Sequence, residues 1–142
     1  NIDAADQLIL LRYILIRVCD KYNAYPCFKP VPHDGYNPSG LCVAFESELM
    51  RESYEAIQHC IRHLSKNHKC DLEYYGDNQN RLSSFHKQTF SFGISKDGVS
   101  VNVPKETFLN KKGKIIDTRP ASDANPYYVI LTLYKNINSK NV

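Results

Sequence analysis

The residues best suited to bind a metal ion are two histidines four positions apart, His59 and His63, in a segment predicted to be helical. This spacing places both imidazoles on one helix face, as is common in zinc sites. Further nitrogen and sulfur donors lie nearby at Cys60, His68 and Cys70. No glutamate follows His59, as a zinc-peptidase motif would require, and the spacing fixes no third ligand. We therefore favour a solvated helix face over a zinc site.

A second chemistry would need a cysteine nucleophile and a histidine base, for which Cys42 and His86 are the candidates. A thiol becomes a strong nucleophile when a neighbouring imidazole takes its proton. The sequence gives no distance between the two side chains, and a cysteine is often simply a small packed residue. The pairing stays open as an alternative catalytic site.

The ten tyrosines could stack on the bases of a single-stranded nucleic acid if they alternated with basic residues along one surface. They are instead dispersed along the chain. The net charge of +3 arises from 18 basic and 15 acidic residues that are interspersed without forming a basic stripe. Nucleic acid is therefore the less favoured partner.

The 142 residues fit one domain, and their five cysteines form an odd number without a CxxC pair. We therefore expect no disulfide framework and a reducing compartment, which points to the cytoplasm. The longest apolar run, Leu8 to Val18, is interrupted by Arg12 and Arg17 and is too short to span a membrane. The first residue is Asn1 and not methionine, so the chain is either processed or part of something longer.

The elements that would position these residues begin with an amphipathic helix, whose apolar face consists of Leu8, Leu11, Leu15, Val18 and Tyr22. Asp3 is a candidate N-cap, and Asn23 can take the left-handed conformation that ends a helix. A short strand is predicted over Ala24 to Lys29. A loop rich in proline and glycine follows, and alternating residues predict a second strand over Leu41 to Leu49.

The second half predicts a helix over about Arg51 to Asn67, whose apolar face consists of Tyr54, Ile57, Ile61 and Leu64. Phe90 to Ile94 and Val99 to Val103 are predicted to form a hairpin around the turn residues Asp97 and Gly98. Tyr127 to Tyr134 is rich in strand formers, yet Asn125 and Pro126 are a good N-cap and first-turn pair. The residues from Asn136 to Val142 are expected to be a polar tail that frays.

Several motifs, in a fixed order, resemble the eukaryotic-type glutamine synthetases. Asp117 to Tyr127 resembles the segment that ends their catalytic core. Cys27 to Pro32 is similar to their Phe-x-Pro-Lys-Pro strand and loop, and Gly35 to Gly40 to their Asn-Gly-(Ser or Ala)-Gly loop. Asn80-Arg81-Leu82 and Phe85-His86 also fall where the family would place them. The resemblance covers roughly Asp3 to Tyr134 and favours a helix over Tyr127 to Tyr134.

The resemblance implies an α+β fold that is part of the family's catalytic barrel, an antiparallel sheet with helices packed on its outer face. Residues 1–135 would form this truncated domain, with a polar tail at 136–142. The family's N-terminal β-grasp domain and its earlier barrel strands have no counterpart in the sequence. We therefore expect exposed sheet edges and protein partners that cover them.

The resemblance also implies a reaction, the phosphorylation of glutamate by ATP followed by attack of ammonia, which requires divalent metals and cationic side chains. The family's residues for this chemistry are matched by different types at six positions: Cys42, Ala44, Lys87, Asn102, Ile116 and Thr118. By the same resemblance they replace, in that order, a histidine, an asparagine, the glutamate of the flap, a phosphate-binding arginine, a metal-binding glutamate and its partner arginine. Matching residues remain at Asn37, Gly40, Arg81 and Arg119.

Two of the matching residues allow more than one interpretation. Arg81 corresponds to the family's glutamate-binding arginine, so it would either retain a carboxylate site or pair with a nearby Asp or Glu. Arg119 is expected to help build the turn before the final helix. Cys42 and His86 both fall around the same implied pocket.

Taken together, the residues and the resemblance predict a non-catalytic module, an interaction or structural subunit of a larger assembly, without a cofactor. The alternative is a fragment of a glutamate–ammonia ligase that another chain completes, which would require ATP and magnesium. Complementation by another chain would leave Ile116 in the position of the metal-binding glutamate.

Overall fold

The computed structural model of the protein describes residues 2–79 and 81–139. Four strands of three residues lie within these ranges: β1 Val43–Phe45, β2 Phe92–Ile94, β3 Val101–Val103 and β4 Ile115–Asp117. Seven helices accompany them: α1 Ile2–Asp20, α2 Glu48–Glu52, α3 Tyr54–Lys66, α4 His68–Glu73, α5 Ser84–Gln88, α6 Lys105–Asn110 and α7 Pro126–Ile137. The expected α+β class is confirmed.

The strands form one mixed sheet in the order β1-β4-β3-β2, in which β4 pairs antiparallel with β1 and β3, whereas β2 and β3 run parallel. The expectation of an antiparallel sheet is therefore wrong for one of the three pairs, and the predicted hairpin is wrong as well. Gly98, with φ of 70°, does provide a turn, but Ser95 also has a positive φ, 46°. The chain reverses direction twice between residues 94 and 101, so β3 runs parallel to β2.

One face of the sheet is packed against α3 and α7 to form the core. Val101, Val103 and Ile115 are completely buried, since alternate residues of a strand point to the same face. They pack with apolar residues of both helices: Ile57, Ile61, Leu64, Val129 and Leu133. The apolar face predicted for the second helix is thus confirmed, with Tyr54 partly buried at its start.

The boundaries of that helix differ from the prediction because two serines interrupt the segment. Ser47 Oγ accepts a hydrogen bond from the Met50 amide and starts α2, which ends the predicted strand at Phe45. Ser53 Oγ accepts from the Glu55 amide and starts α3. Side-chain caps of this kind compete with continuous secondary structure.

Helix α1 confirms the predicted N-terminal helix but turns the predicted apolar face outward. Leu11, Leu15, Val18 and Tyr22 are between 40% and 77% exposed, whereas Ala5 is buried. The helix is held instead by Arg12, whose guanidinium donates to the carbonyls of Ser122 and Ala124 and lies over the Phe28 ring. Asp3 is not the N-cap, because the helix already includes Ile2, but Asn23 has the expected left-handed φ of 56°.

The segment predicted as a strand over Ala24 to Lys29 forms no strand in the structure. Tyr25 is 90% exposed, and the Phe28 carbonyl accepts a hydrogen bond from the Ser122 hydroxyl instead of from a neighbouring strand. An extended segment becomes a strand when a ladder partner is present, and none of the residues described here supplies one.

Helix α7 confirms the helical interpretation of the last segment, with Asn125 as its cap and Pro126 in its first turn. It also extends beyond the predicted start of the polar tail, because Asn136 is 1% exposed and donates to Asp71. Residues 140–142 of the expected tail lie outside the described residues. Within the described ranges, no helix has both the length and the apolar character needed to cross a bilayer.

Candidate functional site

A cavity of about 430 Å³ opens on the face of the sheet opposite the helical core. Strand residues, the loop after β2 and α5 all contribute to its lining. The residues that matter for its chemistry are Gly40, Cys42, Arg81, Leu82, His86, Lys96, Asp97, Val99, Ser100, Asn102, Ile116, Thr118 and Arg119. Four of the six replaced positions and three of the four matching positions named from the resemblance therefore lie around one cavity.

The strand register explains why these positions meet. Ala44 pairs with Ile116, Ile116 with Asn102, and Asn102 with Gly93, so the four residues form a row across all four strands. Residues directly opposite each other in a sheet share a face. This cross-strand row, Ala44–Ile116–Asn102–Gly93, thus contains three of the replaced positions as immediate neighbours.

Three of the named positions lie elsewhere. Asn37 is in an exposed loop and does not line the cavity. Ala44 belongs to the row but opens onto neighbouring depressions beside β1. Lys87 points away, and its ammonium donates to the carbonyl of Gln79. These three residues are not brought together with the rest.

Arg81 is a structural connector. Its guanidinium donates to three main-chain carbonyls, those of Ser39 (3.0 Å), Thr118 (2.7 Å) and Arg119 (2.9 Å), and to Asn78 Oδ1 (3.0 Å). Within the described part of the chain Arg81 forms no ion pair with an Asp or Glu, so that expectation is wrong, whereas carboxylate binding by Arg81 stays a prediction. Four acceptors already occupy most of the donors that a planar guanidinium offers.

Gly40 is required by this arrangement. A Cβ atom at position 40 would lie 2.1 Å from Arg81 Nη2, well inside van der Waals contact. The glycine thus lets the guanidinium lie directly against the main chain, which is the close approach that only a residue without a side chain permits.

Arg119 lies in the core, 2% exposed, and its guanidinium donates to both oxygens of Asp117 (2.9 and 2.8 Å) and to Asp71 Oδ2 (3.0 Å). It also lies over the ring of Tyr75, whose hydroxyl donates to Asp117. Arg119 was expected to help build the turn before α7, and this network is a role that the sequence did not predict. It is the centre of a buried charge network.

No pattern in the sequence indicated that Asp71 belongs to this network. Asp71 is 48 residues from Arg119 and is further bonded by Asn136 from α7. Such long-range pairs leave no local periodicity. Asp117 and Arg119 are two residues apart at the end of a strand, which is a signal that could have suggested a pair, since both side chains point to the same face.

Burial sets the protonation of the groups around Arg119. It raises the pKa of Asp71 to about 6, although Arg119 and Asn136 oppose the shift. It also raises the pKa of Cys60 to about 12, assisted by Asp117, and raises the pKa of Tyr75. The Cys60 thiol and the Tyr75 phenol therefore stay protonated and do not serve as nucleophiles at neutral pH.

The raised pKa of Asp71 predicts a contribution to stability that decreases as pH rises. The folded protein binds this proton more tightly than the unfolded chain, so the contribution is complete below pH 3.8, the ordinary value, and is lost as pH passes about 6. The slope should not exceed about 1.4 kcal/mol per pH unit. We expect the unfolding free energy of the wild type, relative to that of Asp71→Asn, to decrease as pH rises from 4 to 7.5. Urea denaturation of both proteins across this range measures the difference. A pH-independent difference would contradict the assignment.

The structure brings together two of the candidate zinc ligands, but among the described residues no third one lies with them. The rings of His59 and His63 do lie together, with centroids 4.4 Å apart. Cys60 and His68 are turned into the core, where His68 Nδ1 lies 3.3 Å from Arg119 Nη1. Within residues 2–79 and 81–139, no three His, Cys, Asp or Glu side chains converge on one point.

Cys42 and His86 both line the cavity, as the nucleophile hypothesis requires. His86 Nδ1 faces the hydroxyl of Ser83 at 3.2 Å, and the His86 carbonyl faces His68 Nε2 at 3.0 Å. These contacts orient the histidine through α4 and the start of α5. The pairing of the thiol with the imidazole stays a prediction.

The cavity does not fit a metal ion and the phosphates of a nucleotide. Magnesium prefers carboxylate ligands, and among the described lining residues Asp97 alone carries a carboxylate. The guanidiniums of Arg81, which is partly buried, and of Arg119, which is buried, donate to acceptors within the protein. The cross-strand row itself offers aliphatic side chains and one amide.

Comparison with known proteins gave matches in sequence and in structure. A cytosolic glutamine synthetase isozyme 1-1 from Oryza sativa subsp. japonica is 38% identical over 138 residues, 91% of this chain and 38% of its own. The glutamine synthetase of Bos taurus is 33% identical over 147 residues, 95% of this chain and 39% of its own. No family model matches.

The structure of apo GmaS without ligand superposes with a TM-score of 0.73 at 15% identity. The superposition covers 97% of this chain and 37% of that one, so the fold is contained within a larger fold. The chain likewise spans about two fifths of the length of the curated relatives it matches.

Proposed function

Because the chain belongs to the glutamine synthetase family, we propose that it is a non-catalytic module of that family, one that binds another polypeptide and does not join glutamate to ammonia. The proposal is supported mainly by the cross-strand row. By the family resemblance, the row has Ile116 in place of a metal-binding glutamate, Asn102 in place of a phosphate-binding arginine and Ala44 in place of an asparagine. Neither an alkyl group nor an amide replaces the charge of those groups.

The expected loss of transition-state stabilisation also supports a non-catalytic module. Removal of a single preorganised donor to a developing negative charge costs about 3 kcal/mol of transition-state stabilisation. Here a phosphate-binding arginine and a metal-binding glutamate are matched by Asn102 and Ile116, and the retained Arg81 donates to main-chain carbonyls. We expect turnover below detection when several such groups are absent, even though their separate losses are not additive.

The binding role is supported by the outward face of α1. Leu11, Leu15 and Val18 lie exposed along it, and large exposed apolar patches on folded proteins commonly mark interaction sites. The sheet edges add to this surface, since β1 and β2 end the sheet and Phe92 of β2 is 59% exposed. We infer that a protein partner covers these surfaces.

The proposal predicts that magnesium–ATP leaves the thermal stability of the protein unchanged. A ligand that binds the folded state raises the unfolding midpoint in proportion to the logarithm of its concentration over Kd. We expect no shift with millimolar magnesium–ATP in differential scanning fluorimetry, whereas bovine glutamine synthetase serves as the positive control. A shift of several degrees would show a working nucleotide site and contradict the proposal.

The binding role is tested separately, by the native mass of the protein isolated from its own source and by mass spectrometry of co-purifying chains. Unrelated subunits in fixed stoichiometry would support it. Synthetase-sized protomers that contain a β-grasp chain would favour a ligase instead. The cytoplasmic location expected from the cysteines stays a prediction.

A further inference from the structure

Asn102 has an unusual position in the cross-strand row. Its Oδ1 atom is buried, yet it accepts no hydrogen bond from any residue that the structure describes. Buried side-chain acceptors are nearly always paired in folded proteins, because a lost hydrogen bond to water must be replaced. Asn102 also lines the 430 Å³ cavity, so rotation of its amide about the soft terminal torsion would bring Oδ1 within reach of a donor on a molecule bound there.

The neighbours of Asn102 in the row cannot supply the donor. On one side lies the aliphatic side chain of Ile116. On the other lies Gly93, above which the methylene groups of Lys96 pack so closely that a Cβ on Gly93 would be 2.8 Å from Lys96 Cβ. The fold thus leaves the amide between two groups without hydrogen-bonding capacity.

The polar groups further along the cavity wall are directed elsewhere. The hydroxyl of Thr118 donates to the Val99 carbonyl at 2.5 Å. Ser100 Oγ accepts from the Ser91 amide, and the Ser91 hydroxyl accepts from the Ser100 amide. Arg81 donates to carbonyls, as described above. Within the described part of the chain, Asn102 is the residue with a buried side-chain acceptor that has no partner.

The chemistry of this residue and its surroundings defines a class of ligand. A carboxamide presents a donor and an acceptor side by side, and its terminal torsion is soft enough to turn either group toward the cavity. Its complement is a neutral group with an adjacent N–H and carbonyl or ring nitrogen. The same cavity is also lined by Cys42, Leu82, Val99 and Ile116, which suit an apolar body.

The charges argue for a neutral ligand over an anion. A carboxylate or phosphate entering the cavity would give up its hydration, and the guanidiniums of Arg81 and Arg119 already donate to acceptors within the protein. The other two charged lining residues, Lys96 and Asp97, are neighbours of opposite sign, so they give the cavity no net charge. The volume lies within the range of about 300–1,000 Å³ that is typical of small-molecule sites.

We propose that this cavity binds a small uncharged molecule with an apolar body and an amide-like edge, which pairs with the carboxamide of Asn102. The inference does not depend on the proposed binding role of the chain. A site of this class would differ from a nucleotide and metal site in both charge and donor pattern.

The experiment uses two probes of equal shape, benzamide and benzoate, titrated into the whole chain and followed by amide resonances in NMR spectra. We expect benzamide to shift the resonances of cavity residues such as Val99, Ser100 and Thr118. Its Kd should be at least tenfold lower than that of benzoate. Equal affinities for the two probes would overturn the proposal. So would the absence of any resonance shift when benzamide is raised from a 10-fold molar excess to its solubility limit.

Asn102→Leu, which keeps the size of the side chain but removes the amide, should weaken benzamide binding at least tenfold. Asn110→Leu is the matched control, because Asn110 is exposed on α6 and outside this cavity, and it should leave the Kd unchanged. Asn102→Ala provides a second test if leucine does not fit. Retained binding in folded Asn102 variants would overturn the proposal, whatever the result with magnesium–ATP.

Discussion

Replacing Arg119 with methionine will lower the unfolding free energy by about 3–5 kcal/mol, the loss typical when one partner of a buried ion pair is removed. The side chain is 2% exposed and is bonded to Asp117 and Asp71. Methionine fills similar space but leaves both carboxylates without a cation. Since single domains have about 5–15 kcal/mol in total, this loss is a large part of the stability of the protein.

Urea denaturation followed by circular dichroism measures this loss, with Arg17→Met as the control. Arg17 forms an exposed pair with Asp20, for which the expected change is below about 1 kcal/mol. Adding Asp71→Asn to the Arg119 variant should recover part of the stability, because one unpaired carboxylate is removed. A loss below about 1 kcal/mol for Arg119→Met would show that the network does not stabilise the fold.

Gly40→Ala should destabilise the protein by about 3 kcal/mol, because the new methyl group would occupy the space of the Arg81 guanidinium and break charge-assisted hydrogen bonds to carbonyls. The φ angle at position 40 lies outside the left-handed region, so alanine introduces no backbone strain there. The effect would therefore report the contact with Arg81 alone.

A double-mutant cycle with Arg81→Ala tests this cause. Arg81→Ala should be similarly destabilising, since it leaves the carbonyls of Ser39, Thr118 and Arg119 without their donor. In that background Gly40→Ala should be nearly neutral, because no guanidinium remains to be displaced. Additive losses in the double variant would rule out the close approach as the reason for glycine at this position.

The sequence predicted those parts of the fold that depend on local patterns. The apolar face of α3 and the Asn125–Pro126 start of α7 are of this kind, and both are confirmed. The grouping of Cys42, Asn102 and Ile116 around one cavity also agrees with the family motifs. Motif order carries three-dimensional information because relatives share their strand register.

The remaining features depend on interactions that the sequence does not display. The parallel pairing of β2 and β3 follows from a second reversal at Ser95, a serine with a left-handed φ that its residue type does not predict. The orientation of α1 depends on Arg12, which binds carbonyls 110 and 112 residues away. The role of Arg81 depends on main-chain carbonyls, which every residue has and which therefore give no signal.

The attachment of α1 to the segment before α7 also has a consequence for synthesis on the ribosome. Arg12 forms its hydrogen bonds with Ser122 and Ala124, and Asp6 accepts one from Tyr127, only after those later residues have been synthesised. Helix α1 is therefore made long before the segment that it binds. At about 5–20 residues per second, a separation of 112 residues corresponds to a delay on the order of 6–20 s. During that interval a nascent helix rich in leucine and isoleucine is available to chaperones and to neighbouring nascent chains.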